Sequence, residues 1–358
     1  MSLSFEQPPQ SICLIRLSAI GDCCHTVPVV RTIQQVWPGT RITWIIGRTE
    51  FSLLEGLEGV EFVALDKGRG IAGLPDIRRR LRGRKFPLLL HMHASMRANL
   101  VSRTVDADLR IGFDRSRARD SQWLFTNQRI DARQKQHVMD GLFGFAEYLG
   151  IDQRVVRWDI PLANADRQLA ENVAGRAQRI CVISPCTSQR FRNYRNWRPE
   201  NFAAVAEYAT RHFDAKVILT GSDTAIENEF AREIGRRAAV ENLVGRTSLK
   251  QLLAILGRAD LLICPDSGPA HMATAVGTPV IGLYATSNTW RTGPYYSQPL
   301  VVDRYPEAVD REFGKPVDEL RWGQRVRDPA AMDLITVDDV TAKIDLVLGS
   351  DKVAVRHR

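Results

Sequence analysis

Residues 264–284 read CPDSGPAHMATAVGTPVIGLY, and this stretch decides the fold. An apolar run over 261–264 stops at Pro265 and gives way to a turn made of Asp266, Ser267 and Gly268. Pro269 suits the first turn of a helix, where its missing N–H would have no partner in any case. The spacing predicts a helix of small residues over 270–276, ended by Gly277, and then a second buried strand over 280–283. Strand, turn, helix and strand in this order make one unit of a parallel sheet. The turn brings backbone N–H groups, a carboxylate and the imidazole of His271 to one helix N-terminus, a position that favours an anion. The small residues let the helix lie close to the sheet.

Working outward, the same alternation recurs along the chain. In the first half, strands are expected over 12–17, 41–46, 60–65, 87–91 and 110–113, and helices over 26–36, 97–105 and 137–149. Residues 158–166 carry no strong periodicity and are expected to be a linker. In the second half, strands are expected over 180–184, 216–220 and 242–244, and helices over 200–212, 225–237 and 248–258. In the last of these, Leu249, Leu252, Leu253 and Leu256 share one face and Ser248 can cap the start. Residues 286–327 are irregular, rich in Arg, Pro and aromatics, and are expected to form functional loops. A helix over 337–348 follows. Two successive alternations, each opening with a strand, predict an α/β protein of two doubly wound domains. The expected boundaries are 1–160 and 161–335, with a C-terminal helix and basic tail over 336–358. Ligands in such sheets bind outside the carboxyl ends of the strands, so two facing domains would enclose a cleft between those ends.

The 358 residues are too many for one compact core, and a hydrophobic content of 44% is ordinary for a soluble globular protein. Six scattered cysteines suit a reducing compartment better than a disulfide framework. Cys23 and Cys24 are adjacent with no second pair at zinc spacing, so no metal is expected. The opening MSLSFEQPPQ lacks the charged and apolar regions of a secretion signal, and no apolar run is long enough to span a bilayer. The expected location is the cytoplasm. The formal net charge of +8 implies an anionic partner: nucleic acid, an anionic lipid surface or a phosphorylated substrate. Much of it sits in 77–85, IRRRLRGRK, where Arg78, Arg79, Arg80, Arg82, Arg84 and Lys85 cluster. The patch is either a solvated helix face or a docking surface. With no helix-turn-helix, RNA-binding aromatic signature or zinc module beside it, nucleic acid is not the expected partner.

Four constellations can carry chemistry. In 14–30, LIRLSAIGDCCHTVPVV, a strand ends in a loop and Asp22 stands just before a helix. Asp22 is either a helix cap or a general base. A helix N-terminus lowers the basicity of such a carboxylate, which suits a nucleophile that loses its proton late. In 184–199, SPCTSQRFRNYRNWRP, the hydroxyls of Thr187 and Ser188 and the guanidinium groups of Arg190, Arg192, Arg195 and Arg198 follow a strand, a pattern suited to a diphosphate. In 220–230, TGSDTAIENEF, Asp223 or Glu227 can bond a ribose hydroxyl, or Asp223 can cap the helix. In the opening turn, His271 can donate to a phosphate, and Asp266, which should repel one, fits sugar hydroxyls. A hydrolase triad of Asp266, Ser267 and His271 is disfavoured, because the three share one short turn and no G-x-S-x-G elbow is present.

At LIRLSAIGD, CTSQRFRNYRNW and PDSGPAHMATAVGTPVIGLY the chain resembles the bacterial ADP-heptose:lipopolysaccharide heptosyltransferases, glycosyltransferase family 9. The order and spacing of these segments agree over most of the chain, although the middle basic loop is longer than in the heptosyltransferase I pattern. The resemblance implies a GT-B fold, two Rossmann-like domains around a central cleft, with the acceptor on the N-terminal and the nucleotide sugar on the C-terminal domain. It implies an inverting transfer without metal or other cofactor. By position, Asp22 matches the catalytic aspartate, and Arg16 and Ser18 match the basic and hydroxyl positions upstream of it. Thr187 and Ser188 match the hydroxyl pair near the diphosphate. Arg195 falls where the family pattern has a lysine, which keeps the charge and changes the geometry. Asp266, Ser267, Gly268 and His271 lie in the donor-site turn, and Asp223 or Glu227 takes the adenosine side.

On this reading the partners are an ADP-heptose donor and the lipopolysaccharide inner core, a Kdo- or heptose-bearing lipid A rich in carboxylates and phosphates. The loop 91–99, HMHASMRAN, offers His93 and Arg97 to that acceptor, and the 77–85 patch offers Arg79 and Arg82. His91 and His93 as a metal pair is the weaker alternative. Peripheral contact with an anionic membrane, at the inner face of the cytoplasmic membrane, accompanies this reading. The rival functions are a GT-B transferase using another nucleotide sugar and a non-catalytic nucleotide- or polysaccharide-binding protein.

Overall fold

The structure is a computed structural model in which residues 7–188 and 193–349 are described. Arg190, Arg192 and the basic tail over 350–358 lie outside the described residues. The chain divides into two compact units, Met1–Pro161 and Leu162–Arg358.

The first unit runs β1 (Ser11–Ile15), α1 (Ile20–Val36), β2 (Arg41–Gly47), α2 (Arg48–Leu54), β3 (Val60–Leu65), α3 (Leu74–Arg80), β4 (Lys85–His91), α4 (Met96–Ser102), β5 (Asp106–Gly112), β6 (Gln128–Arg129) and α5 (Val138–Tyr148). Its six strands are parallel in the order β3-β2-β1-β4-β5-β6. β1 is central, with Ile12 opposite Ile42 on one side and Leu88 on the other. A parallel sheet is covered on both faces, so its inner strands are apolar throughout. SICLI in β1 and PLLLH in β4 are such runs, and Cys13, Ile15, Ile45 and Leu89 meet in one core with Ile77, Ala98 and Val101 from α3 and α4.

The second unit runs α6 (Asn164–Ala174), β7 (Arg179–Ile183), α7 (Pro199–Phe213), β8 (Ala215–Leu219), α8 (Ala225–Gly235), β9 (Glu241–Asn242), α9 (Leu249–Arg258), β10 (Leu261–Pro265), α10 (Gly268–Ala275), β11 (Val280–Tyr284), α11 (Thr289–Thr292), β12 (Val302–Asp303), α12 (Tyr305–Phe313) and α13 (Val337–Leu348). Its parallel sheet has the order β12-β11-β10-β7-β8-β9. Counted from each unit's first strand, the order is the same in both: third, second, first, fourth, fifth, sixth. The chain therefore reverses direction across the sheet between β1 and β4, and again between β7 and β10. In open α/β sheets such a switch point is where ligands bind.

The largest differences from the sequence reading bear on the site. α1 begins at Ile20, six residues earlier than expected, so Asp22 lies inside the first turn rather than before it. Its Oδ2 accepts the backbone N–H of Ala19 at 3.1 Å, which satisfies one of the donors a helix start leaves open. α6 takes the last three residues of the expected linker and runs on to Ala174, where no helix was expected. Only Ala170 and Ala174 of α6 are fully buried, with Leu169 and Val173 half-buried beside them, so it packs on α9 through a short stripe of apolar side chains. α12 lies inside the region expected to be irregular, anchored by Tyr305, Ala308 and Val309. α10 starts at Gly268, and Gly277, at φ 78°, sits just beyond its end in a conformation that favours glycine.

Candidate active site

In the first unit, β1 ends at Ile15 and the next residues fan out at the switch point. The Arg16 backbone N–H donates to the Ile45 carbonyl at 3.2 Å and the Leu17 carbonyl accepts from the Gly47 N–H at 3.0 Å, so the loop is fixed against β2. On the β4 side, Arg16 Nη1 donates to the Met92 carbonyl at 2.6 Å and the Leu17 N–H donates to His93 Nδ1 at 3.1 Å. The other guanidinium nitrogen of Arg16, Nη2, forms an ion pair with Asp22 Oδ2. Arg16 is buried, while the Asp22 side chain is 30% exposed. A carboxylate thus stands at the carboxyl end of β1, oriented by a guanidinium and a backbone N–H and open to solvent. Ser18 lies half-buried in the same loop.

Two groups beside it were missed from the sequence. Lys67 Nζ, just after β3, donates to both carboxylate oxygens of buried Glu50, in the first turn of α2, at 2.7 Å. The pair closes over Gly47, where a Cβ would lie 2.5 Å from the Leu17 carbonyl oxygen and 2.4 Å from Glu50 Oε2. Neither DKG nor GRTE carries a motif, so no local signal could have found the pair. His93 is held neutral. Burial pushes its pKa down to about 3, and the positive charge of Arg16 adds to the effect. Because its Nδ1 accepts from Leu17, its hydrogen is on Nε2. His91 is likewise lowered to about 4 by burial, and its Nε2 meets Asn99 Oδ1 at 3.0 Å. Arg97 is exposed in the first turn of α4, which Ser95 caps.

In the second unit the loop after β7 and the turn after β10 meet in the same topological position. Arg195 Nη1 donates to the Asp266 carbonyl at 2.7 Å and lies 3.2 Å from its Oδ2. Arg195 Nε donates to Asn193 Oδ1 at 2.7 Å. Thr187 is buried, and its N–H donates to Asn196 Oδ1 at 2.9 Å; the Ser188 carbonyl accepts from Asn193 at 2.7 Å. Asn193 and Asn196 thus shape this loop, a role the sequence reading gave only to arginines and hydroxyls. Asp266, expected to touch sugar hydroxyls, is held by several groups of the protein. It also accepts from Ser287 Oγ at 2.8 Å and has Arg325 at 3.7 Å. Burial raises its pKa, but Arg195, Arg325, Ser287 and His271 together outweigh burial and hold it below the usual carboxylate range. Arg325 and Ser287 face each other as an antiparallel bridge inside the arginine-rich region, which brings a second cation to the turn. Two guanidinium groups against one carboxylate leave the start of α10 net positive. Gly268 opens that helix, Ser267 precedes it and His271, largely buried, stands in its first turn.

Of the remaining expected residues, Asp223 and Glu227 lie beside the second cluster, with Glu227 close enough to act on Cys186, and Arg79 and Arg82 lie apart. Thr224, not Asp223, caps α8, and Asp223 Oδ1 accepts from Asn228 at 2.8 Å. Glu227 Oε2 accepts the Ser222 N–H, and burial raises its pKa despite that bond. Both sit at the carboxyl end of β8, beside the switch point. Arg79 and Arg82 lie toward the amino ends of the strands, opposite the carboxyl ends where Asp22 stands. α3 feeds the amino end of β4, and there Arg84 donates to Glu61 at 2.8 Å and Lys85 pairs with Asp108 at 2.7 Å. Arg79 itself pairs with Asp76. Among the described residues no group of three or more His, Cys, Asp or Glu side chains is arranged to hold a metal ion. All six cysteines are free.

The family model described as glycosyltransferase family 9 (heptosyltransferase) matches residues 75–321. The chain is 38% identical to the lipopolysaccharide core heptosyltransferase OpsX of Haemophilus influenzae over 342 residues, 95% of this chain and 97% of that protein. It is 25% identical to a lipopolysaccharide heptosyltransferase 3 of Escherichia coli, over 92% of this chain and 97% of the relative. Among solved structures, the E. coli heptosyltransferase WaaC with ADP superposes with a TM-score of 0.73 at 18% identity, covering 94% of this chain and 99% of that one. E. coli heptosyltransferase II does so with a TM-score of 0.69 at 18% identity, covering 94% and 98%. The two doubly wound units are those of the GT-B fold that these structures share. Fold, family model and full-length relatives agree: the chain belongs to glycosyltransferase family 9, the heptosyltransferases.

Proposed function

We propose that this glycosyltransferase moves a heptose from ADP-heptose onto the inner core of lipopolysaccharide, with inversion and without a metal ion. The observation that carries the donor side is the net positive seat at the start of α10, where Arg195 and Arg325 flank Asp266. Charge grows on ADP as it departs, and fixed guanidinium groups and a helix N-terminus stabilise it without reorganising. Thr187, Ser188 and His271 complete the diphosphate contacts, and Glu227 or Asp223 takes the ribose. In the first unit Asp22 accepts the proton of the acceptor hydroxyl, with Arg16 holding it in place. Arg16, Ser18, His93, Arg97 and Lys67 offer donors and positive charge to the acidic sugars of a Kdo- or heptose-bearing lipid A. Arg79 and Arg82, toward the amino ends of the strands, are left out of this set. The enzyme works at the inner face of the cytoplasmic membrane, where its acceptor is anchored. The full-length identity to OpsX and the ADP held by WaaC support this choice of acceptor and nucleotide.

The test is a donor and acceptor panel with the purified enzyme, read by ADP release and by the product's anomeric configuration in NMR. Turnover with ADP-heptose and inner-core acceptor, unchanged by a chelator and inverted at the anomeric carbon, is expected. Turnover confined to another nucleotide sugar, or binding of ADP-heptose with no transfer to any core acceptor, would overturn the proposal.

A further inference from the structure

We propose that the loops at the carboxyl end of the first sheet dock onto an anionic phospholipid surface, through Trp123, Leu124, Ile71 and Met96 set among arginines; this rests on the lipid-borne acceptor proposed above. Ile71 is 73% exposed, Leu124 63%, Met96 47% and Trp123 44%. They come from three different loops, those after β3, β4 and β5, and all three leave the same end of the sheet as Asp22. The turn containing Ile71 packs against α4, whose first residue is Met96. The loop holding Trp123 is tied to the same helix: Asp120 Oδ2 accepts the Met96 N–H at 2.9 Å, and the Asp120 carbonyl accepts from Asn99 at 2.7 Å. Gln122 donates to the His91 carbonyl at 2.8 Å and Arg117 pairs with Asp114, so this loop is braced from within. The apolar tips therefore stand outward from a fixed frame.

Arg69, Arg115 and Arg119 are exposed in the same loops, and the exposed acid among them, Asp120, is used in capping α4. Interleaved apolar tips and cations identify the occupant. Tryptophan prefers the boundary between headgroups and acyl chains, and each basic side chain near an anionic leaflet raises binding about fivefold. The IRRRLRGRK patch is the wrong surface for this task. It lies at the amino end of β4, and the seven residues of that strand hold it roughly 20 Å from the Asp22 end.

Co-sedimentation of the full chain with phosphatidylcholine vesicles, with and without phosphatidylglycerol, tests the proposal. Binding should require the anionic lipid. Trp123→Ser combined with Leu124→Ser should weaken it at least about tenfold, and Arg115→Glu combined with Arg119→Glu should weaken it about 25-fold or more. Arg79→Glu combined with Arg82→Glu should change it little. Each variant should keep its turnover on a lipid-free core oligosaccharide, which shows that it is folded. Vesicle binding that is absent in the wild type, equal in all variants, or lost only in the Arg79 and Arg82 variant overturns the proposal. So does a Trp123 and Leu124 variant that loses self-association while keeping vesicle binding. Vesicle binding as expected, in a wild-type enzyme that transfers to no core oligosaccharide, supports the docking surface and sinks the acceptor reading instead.

Discussion

Arg195 grips Asp266 twice with one guanidinium nitrogen, 2.7 Å to the carbonyl oxygen and 3.2 Å to Oδ2. The same arrangement, an arginine from one loop of a switch point and an acid beside it, occurs at Arg16 and Asp22. In the second unit the acid is buried and holds the cation in place. In the first the acid is the more exposed partner and the cation holds it. In the second unit Arg325 adds another cation and leaves the seat net positive, while in the first a single arginine orients a carboxylate that faces solvent.

The donor seat is tested by ADP binding. Arg195→Ala should weaken it about 10- to 100-fold, the range for losing a charge-assisted hydrogen bond in a buried setting. Arg195→Lys should recover part of the loss, because the charge returns without the planar fork. Arg325→Ala should cost about three- to tenfold, since Arg325 is more exposed and farther from the turn. Calorimetric titration with ADP measures all three. Unchanged affinity in Arg195→Ala would remove the seat from the mechanism.

Asp22→Asn should lower kcat about 10²- to 10⁴-fold while ADP affinity stays the same, the pattern for losing a general base. Single-turnover assays with saturating donor separate this from a binding defect. A kcat near that of the wild type would leave Asp22 with only its capping role.

Gly47→Ala should reach the same loop from behind. The added Cβ meets a backbone carbonyl at 2.5 Å, so Leu17 and the residues leading to Asp22 must shift. A destabilisation of about 1–3 kcal/mol is expected for such overpacking, with lower kcat and unchanged ADP binding. Chemical denaturation and steady-state kinetics check the two halves separately.

His91 makes a prediction about pH. Its pKa falls from 6.5 to about 4 on folding, so between these values the unfolded chain binds a proton that the folded chain refuses. Stability therefore decreases as the pH drops through that window, by about 2 kcal/mol at pH 5 from His91 alone. His93, lowered to about 3, acts in the same direction. Denaturation midpoints at pH 7 and pH 5 measure the loss, and His91→Gln should remove about half of it, leaving the share of His93. A midpoint that does not move with pH would contradict the burial of a neutral imidazole.

What the sequence revealed followed from periodicity. Continuous apolar runs marked β1, β4, β7, β10 and β11 because a covered parallel strand has no polar face, and those strands alone position both switch points. Elements that bury little were missed: α6 fully buries two alanines and α3 Ile77. Among the candidates, Arg16 and Asp266 stood out because each directly follows a strand, and Asp22 and Arg195 because they lie in the segment between a strand and the body of the next helix. Their pairing did not, since Arg195 and Asp266 are 71 positions apart and nothing local encodes their contact. Arg325, Lys67 and Glu50 stayed hidden for the same reason. That Asp266 sits between two cations was not legible, because Arg195 and Arg325 reach it from distant parts of the chain.

The bond from the Leu17 N–H to His93 Nδ1 has one more outcome. An imidazole pinned this way cannot exchange its two nitrogens or pick up charge at ordinary pH, so it addresses its visitor always with the same hydrogen. It reads lone pairs and ignores donors. In the acceptor site proposed above, it would favour a sugar oxygen or carboxylate over an ammonium group at any pH well above its depressed pKa of about 3.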